Sequence, residues 1–77
     1  MTVPFEIDEN VIIVDYVDGA SVYMTDFIIQ IIINKDDIEY LFENVSRPVS
    51  SKRVIKYSTS KENELLRNGY VKVVNLI

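Results

Sequence analysis

The chain has 77 residues, twelve Asp or Glu against eight Lys or Arg, and no cysteine, histidine or tryptophan. Without cysteine there is no disulfide, zinc finger or thiol nucleophile; without histidine there is no Ser-His-Asp triad, imidazole metal ligand or histidine pH switch. A chain this short buries only about 60–65% of its unfolded surface, so of the usual staples for a small fold oligomerisation alone stays open.

Hydrophobic residues make up 48% of the chain, and most are Ile and Val, with Ala20 the single alanine. That is a globular, strand-forming composition, and residues 1–77 read as one domain. Residues 1–10 are polar and acidic around Pro4 and read as an N-terminal arm or a short edge strand over 3–7. Residues 11–17 (VIIVDYV) predict a strand, since β-branched side chains lose little freedom in extended backbone. Asp18-Gly19 predicts a two-residue hairpin, because both turn positions need φ > 0. The return strand over 21–34 puts Tyr23, Thr25, Phe27, Ile29, Ile31 and Ile33 on one face. Val22, Met24, Asp26, Ile28, Gln30 and Ile32 fall on the other. Both faces are apolar at the Ile-rich end, as in a strand covered on both sides. Its length predicts a bend or bulge near Asp26.

Asp36 with Glu39 three residues on resembles a capping box, and Ile38, Leu41, Phe42 and Val45 then share one helical face. This spacing predicts a short helix over 37–45. The same residues alternate as Ile38, Tyr40 and Phe42, so a third meander strand is the alternative. Residues 46–51 read as a loop in which Pro48 stops any helix before it. Residues 53–58 read as a strand and 60–68 as a helix opened by a Thr59-Ser60-Lys61-Glu62 capping box. Gly69 stands at the C′ position, and 70–76 form a last strand. The segment from 53 to 76 has the length of a minimal βαβ unit. The sum is an α+β fold, a small antiparallel-rich sheet of about four strands with two short helices. The alternative is a five-stranded small β-barrel-like meander with one helix.

Residues 1–10 lack a basic region followed by a long apolar run, and the longest apolar stretch, 28–33, is broken by Gln30. These features predict a soluble, cytoplasmic protein with no membrane partner. The sparing use of alanine beside Ile, Asn, Lys and Tyr fits an AT-rich genome of the kind phages and mobile elements carry.

No catalytic or ligand motif stands above background. Asp36, Asp37 and Glu39 form the densest acidic cluster, but no calcium-loop spacing accompanies them, and helix capping explains them more simply. None of the serines lies in a nucleophile motif or has a histidine to activate it. The expectation is a non-enzymatic chain without cofactor or metal.

Charge is more informative. Residues 1–45 hold ten acids against Lys35 alone, a net −9; residues 46–77 hold seven cations against Glu62 and Glu64, a net +5. The plainest consequence is neutralisation inside one fold; the sharper one is an interface that meets acid with base. Arg47, Lys52, Arg53, Lys56 and Lys61 form a candidate basic patch, with Tyr57 a stacking ring beside it. Strand alternation places Arg53 and Tyr57 on one face and Lys52 and Lys56 on the other, which favours a solvated basic edge over a nucleic-acid groove.

Two short helices cover about one face of a four-stranded sheet, so the doubly apolar strands call for another layer. A second copy supplies it and also provides the missing staple. The candidate interface residues are Tyr16, Tyr23, Ile28, Ile32 and Tyr40, since tyrosine is enriched in interface cores. The expected function is a small protein–protein interaction module, self-associating as a homodimer through a sheet face or edge oriented by its charge split. A heterologous protein partner is a further possibility on the same grounds. The alternatives are a weak nucleic-acid-binding module, or a small acidic inhibitor of a nucleic-acid enzyme.

Overall fold

A computed structural model describes residues 4–76. They form a mostly antiparallel sheet of six strands with one α-helix, broadly α+β. The strands are β1 (Asn10–Val17), β2 (Ala20–Ile33), β3 (Ile38–Phe42), β4 (Val45–Ser50), β5 (Val54–Lys56) and β6 (Val71–Lys72). A 3₁₀ turn, Ser51–Arg53, joins β4 to β5, and the helix α1 is Thr59–Arg67.

The β1–β2 hairpin follows its sequence signal. Asp18 and Gly19 take φ of 50° and 81°, and Val17 pairs with Ala20 across a two-residue turn. β2 is the spine of the fold: its first half pairs with β1 and, in parallel, with β6, and its second half pairs with β3. Strand order is β4-β3-β2-β1-β5. Laid flat, five strands at about 4.8 Å spacing would separate β4 from β5 by about 19 Å, whereas the four residue steps from Ser50 to Val54 reach at most about 14 Å. The sheet therefore curls, and the 3₁₀ turn bridges its two outer strands.

Two helices were expected and one forms. The helix over 37–45 is replaced by β3, a turn at Glu43-Asn44 and β4. Alternation decides this: Tyr40 and Phe42 point into the curl beside Ile31 and Ile28 of β2, a pairing worth more than one isolated helical turn could recover. The loop expected over 46–51 is mostly strand. Pro48 is tolerated because β4 lies at the end of the path and its register against β3 is bulged. The strand expected over 53–58 is shorter, Val54–Lys56, and the last strand keeps only Val71–Lys72 of 70–76. The edge strand expected over 3–7 begins outside the described residues. Over residues 4–9 the chain bends rather than extends, and Asp8 N–H donates to the Ile28 carbonyl at 2.7 Å.

α1 opens one residue earlier than expected. Its N-cap is Ser58, whose hydroxyl accepts from Lys61 N–H at 3.0 Å, so Glu62 does not close a capping box. The end is as expected. Gly69 has φ 89°, its N–H donates to Leu66, and Tyr70 N–H donates to Leu65, a Schellman pair. The crossover from β5 through α1 to β6 passes over β1 and β2, which lie between the two strands.

Two cores result. Inside the curl, Val11, Ile13, Val22, Met24, Ile28, Tyr40, Phe42, Val45, Val49 and Val54 pack together with Leu76. On the outer side of β1 and β2, Ile12 and Tyr23 pack under Leu65 of α1, with Val14, Ile55, Tyr57 and Tyr70 around them.

Candidate functional site

The doubly apolar pattern of β2 has two separate causes. In its first half the second face is covered by the chain's own helix, through Tyr23 and Leu65. In its second half the register against β3 shifts between Ile28 and Gln30, so Ile29 sits in a bulge, three residues beyond the expected bend. The bulge swaps the faces. Inward residues run Val22, Met24, Ile28 and then Ile31.

The candidate interface residues divide accordingly. Tyr23, Ile28 and Tyr40 are fully buried in the chain's own cores and offer no surface to a partner. Tyr16 is 69% exposed near the β1–β2 turn, and Ile32 is half-buried on β2. Packing inside the curl uses Tyr40 as an aromatic wall, with Phe5 edge-on to it at 5.7 Å. Its hydroxyl has no hydrogen-bond partner among the described residues, and burial raises it above the usual tyrosine range.

What stays bare is the outer side of the second half of β2 together with β3. Phe27 is 49% and Ile29 52% exposed, and Ile32 and Leu41 are half-buried there. Leu41 stands opposite Gln30, and Glu39 stands opposite Ile32. α1 does not reach this side: its packing partners lie on β1, on the first half of β2 and on β5.

A second apolar feature is a hollow of about 240 Å³ near the β1–β2 turn, lined by Val17, Val22, Val73, Asn75 and Leu76.

The basic patch does not gather. Arg53 is spent within the fold: its guanidinium contacts Asp15 at 2.8 Å and donates to the Val14 carbonyl at 3.0 Å. Lys61 pairs with Glu64 at 2.7 Å. Arg47, Lys52 and Lys56 are exposed on β4, the 3₁₀ turn and β5, without an ion-pair partner among the described residues. Tyr57 donates to Glu62 at 3.3 Å and packs against the outer core, which leaves it poorly placed to stack on a base.

The acidic cluster is a set of braces. Asp37 accepts from the hydroxyls of Ser50 and Ser51 and from Ile38 N–H, which together hold its carboxyl below the usual range. Glu39 accepts from Asn34 at 2.6 Å. No group of three or more Asp or Glu able to hold a metal ion occurs among the described residues.

Glu62 is a hub that the one-dimensional spacing assigned to capping. It accepts from Tyr23 at 2.7 Å and Tyr57 at 3.3 Å and pairs with Lys72 at 2.9 Å, tying α1 to β2 and β6. Tyr23 lies 39 positions away, so no local pattern reveals the contact. The Tyr23 hydroxyl, then Lys72, hold the Glu62 carboxyl below its usual range. Burial, then Glu62, push the Tyr23 hydroxyl up to about 12. Since the folded value lies above the usual 10, this stabilisation is complete below pH 10 and is lost as pH rises through about 12. Urea unfolding across that range should show a loss on the order of 2 kcal/mol that is missing in Tyr23→Phe.

Among the described residues one ion pair, Arg53 to Asp15, joins the acidic stretch to the basic one; the pairs Lys61–Glu64 and Lys72–Glu62 are internal to residues 46–77. The two halves therefore neutralise each other little by direct contact among the described residues. No helix is long and apolar enough to cross a membrane. No protein-family model, curated protein or solved structure matches the chain.

Proposed function

We propose that this chain is a non-enzymatic interaction module that pairs with a second copy through the outer face of β2 and β3. The observation that carries the reading is the uncovered apolar side of a strand whose other half has its own helix. Phe27 and Ile29 stand about half exposed there beside Ile32 and Leu41. Contiguous apolar surface of this kind commonly marks an interaction site.

The nucleic-acid alternative has less support, because Arg53, Lys61 and Tyr57 are engaged within the fold. An overall acidic field also repels a polyanion.

Sedimentation equilibrium on the full chain tests the proposal. The wild-type chain should dimerise by about 100 µM, within the range of weak association. Ile29→Asp, at an exposed bulge position, should abolish the dimer while the thermal transition is retained. A wild-type monomer at that concentration, or an unchanged dimer in Ile29→Asp, overturns it.

A further inference from the structure

We infer that residues 27–33 (FIIQIII) are a self-assembly segment: once the β3–β4 hairpin leaves β2, copies of the chain stack strand on strand through it into cross-β fibrils. This contact is separate from the pairing of folded copies through the outer face.

Composition is the first argument, and it names the occupant. From Phe27 to Ile33 the chain holds five isoleucines, a phenylalanine and a glutamine, with no charge, proline or glycine. Segments of about six or seven residues with this uncharged, strand-forming make-up build dry zippers between stacked strands. In-register stacking sets each residue on its own image at about 4.8 Å, so a single charge would repel itself along the whole fibril. An identical segment meets no such repulsion here, and stacked Gln30 amides add a hydrogen-bonded ladder. The charges that make the chain net −4 lie outside the segment, and at physiological salt those beyond about 8 Å are screened.

Position is the second argument. The short outer strands carry what blocks pairing with another chain. β4 holds Arg47 and Pro48, β5 is three residues ending in Lys56, and β6 is two residues ending in Lys72. The second half of β2 has no such device. β3 pairs with it on one side. On the other side, among the described residues, only Ile28 is bonded: its carbonyl accepts from Asp8 N–H at 2.7 Å and its N–H donates to the Glu9 carbonyl at 3.1 Å. Phe27, Ile29 and Ile33 are 49%, 52% and 60% exposed. One edge of the segment is thus open in the folded chain, and β3 holds the other.

The hold of β3 is the third argument. The β3–β4 turn is tied to β2 through Asp26, which accepts from Asn44 N–H at 2.8 Å and from its side-chain amide at 3.3 Å. The register of β3 on β2 is interrupted at Ile29. No residue of β3 or β4 belongs to the outer core, so the hairpin can leave while α1 stays seated on β1 and the first half of β2. Its departure frees the second edge, and local opening of this kind needs less than global unfolding.

Thioflavin T fluorescence and fibre diffraction of the full chain, agitated at about 0.15 M salt, test the inference. The wild-type chain should form fibrils with a spacing of about 4.8 Å and a protease-resistant core that contains residues 27–33. Asp26→Ala, which releases the turn, should shorten the lag at least about threefold. Gln30→Lys, at the exposed centre of the segment, should lengthen it at least about tenfold, and Ile33→Lys serves as a second exposed site. Val74→Lys adds the same charge at a residue 85% exposed outside the segment and should leave the lag within about twofold of wild type. Absence of fibrils from both wild type and Asp26→Ala overturns the inference, as does a resistant core that lacks 27–33. An equal delay in Val74→Lys and Gln30→Lys assigns the effect to net charge and overturns the segment. An unchanged lag in Asp26→Ala overturns release of the hairpin as the step that frees it. Fibrils with this core from a chain that is monomeric at about 100 µM support the segment and overturn only the folded dimer.

Discussion

Leu65→Ala is expected to lower the unfolding free energy by about 2–4 kcal/mol, the range for deleting a buried leucine side chain. Leu65 is the one buried residue of α1 and closes the outer core over Ile12 and Tyr23. The neighbouring Leu66 is 48% exposed, so it cannot take over the contact by a small rotation. For a chain of 77 residues such a loss is a large part of the total stability. Urea unfolding followed by circular dichroism measures it. Leu66→Ala is the matched control and should cost well under about 1 kcal/mol, as expected for an exposed position. Equal losses in the two variants would mean that α1 does not seat through Leu65.

Asp26→Ala should be comparably damaging for a different reason. Asp26 is the one charged or polar residue buried among the described residues, 2% exposed. One carboxylate oxygen accepts from Phe27 N–H at 2.8 Å, and the other accepts from Asn44 N–H at 2.8 Å. The Asn44 side-chain amide adds a third donor at 3.3 Å. Truncation orphans these donors, at about 1–3 kcal/mol for each that stays buried. Asp26→Asn should recover part of the loss: its one oxygen can still accept from Phe27 N–H and the Asn44 side chain, while its amide turns a donor toward Asn44 N–H. The readout is the same urea midpoint, together with protease cleavage at the β3–β4 turn, which Asp26 anchors to β2. Wild-type stability in Asp26→Ala would show that water satisfies Asn44 instead.

Both residues bear on how far the fold could be read from the chain alone. In the sequence Asp26 marked only the place of an expected bend, and its partner is Asn44, eighteen positions away in a stretch read as the end of a helix. Leu65 was legible as one of only two large apolar side chains on α1. What it covers was not, because Ile12 and Tyr23 become neighbours only through the β1–β2 register. The segment 37–45 shows the same limit. Ile38, Leu41, Phe42 and Val45 satisfy a helical face, and Ile38, Tyr40 and Phe42 satisfy a strand. Local spacing supports both, and the choice falls to the second half of β2, whose open edge supplies hydrogen bonds along five paired positions.

The bare apolar surface was legible in kind and not in detail. An apolar strand with more surface than one helix can cover is a correct description of β2. The inward and outward assignment beyond Ile28 depends on a bulge that strict alternation cannot see. Ile28 and Tyr40, named as interface candidates for their residue type and apolar surroundings, are fully buried in the core instead.

By itself the sequence determined the local events: the Asp18-Gly19 hairpin, β1, the strand character of β2, the α1 segment and its Gly69 ending. Each of these rests on conformational preferences of a few adjacent residues. Tertiary structure alone decided that 38–50 is a hairpin, that the sheet curls and that Glu62 braces Tyr23 and Lys72. It also decided that the bare apolar surface lies on the second half of β2 rather than along all of it. The physical reason is common to all four. Each depends on which strand edge or side chain, ten or more positions distant or across a register shift, arrives to complete a hydrogen bond or cover an apolar group.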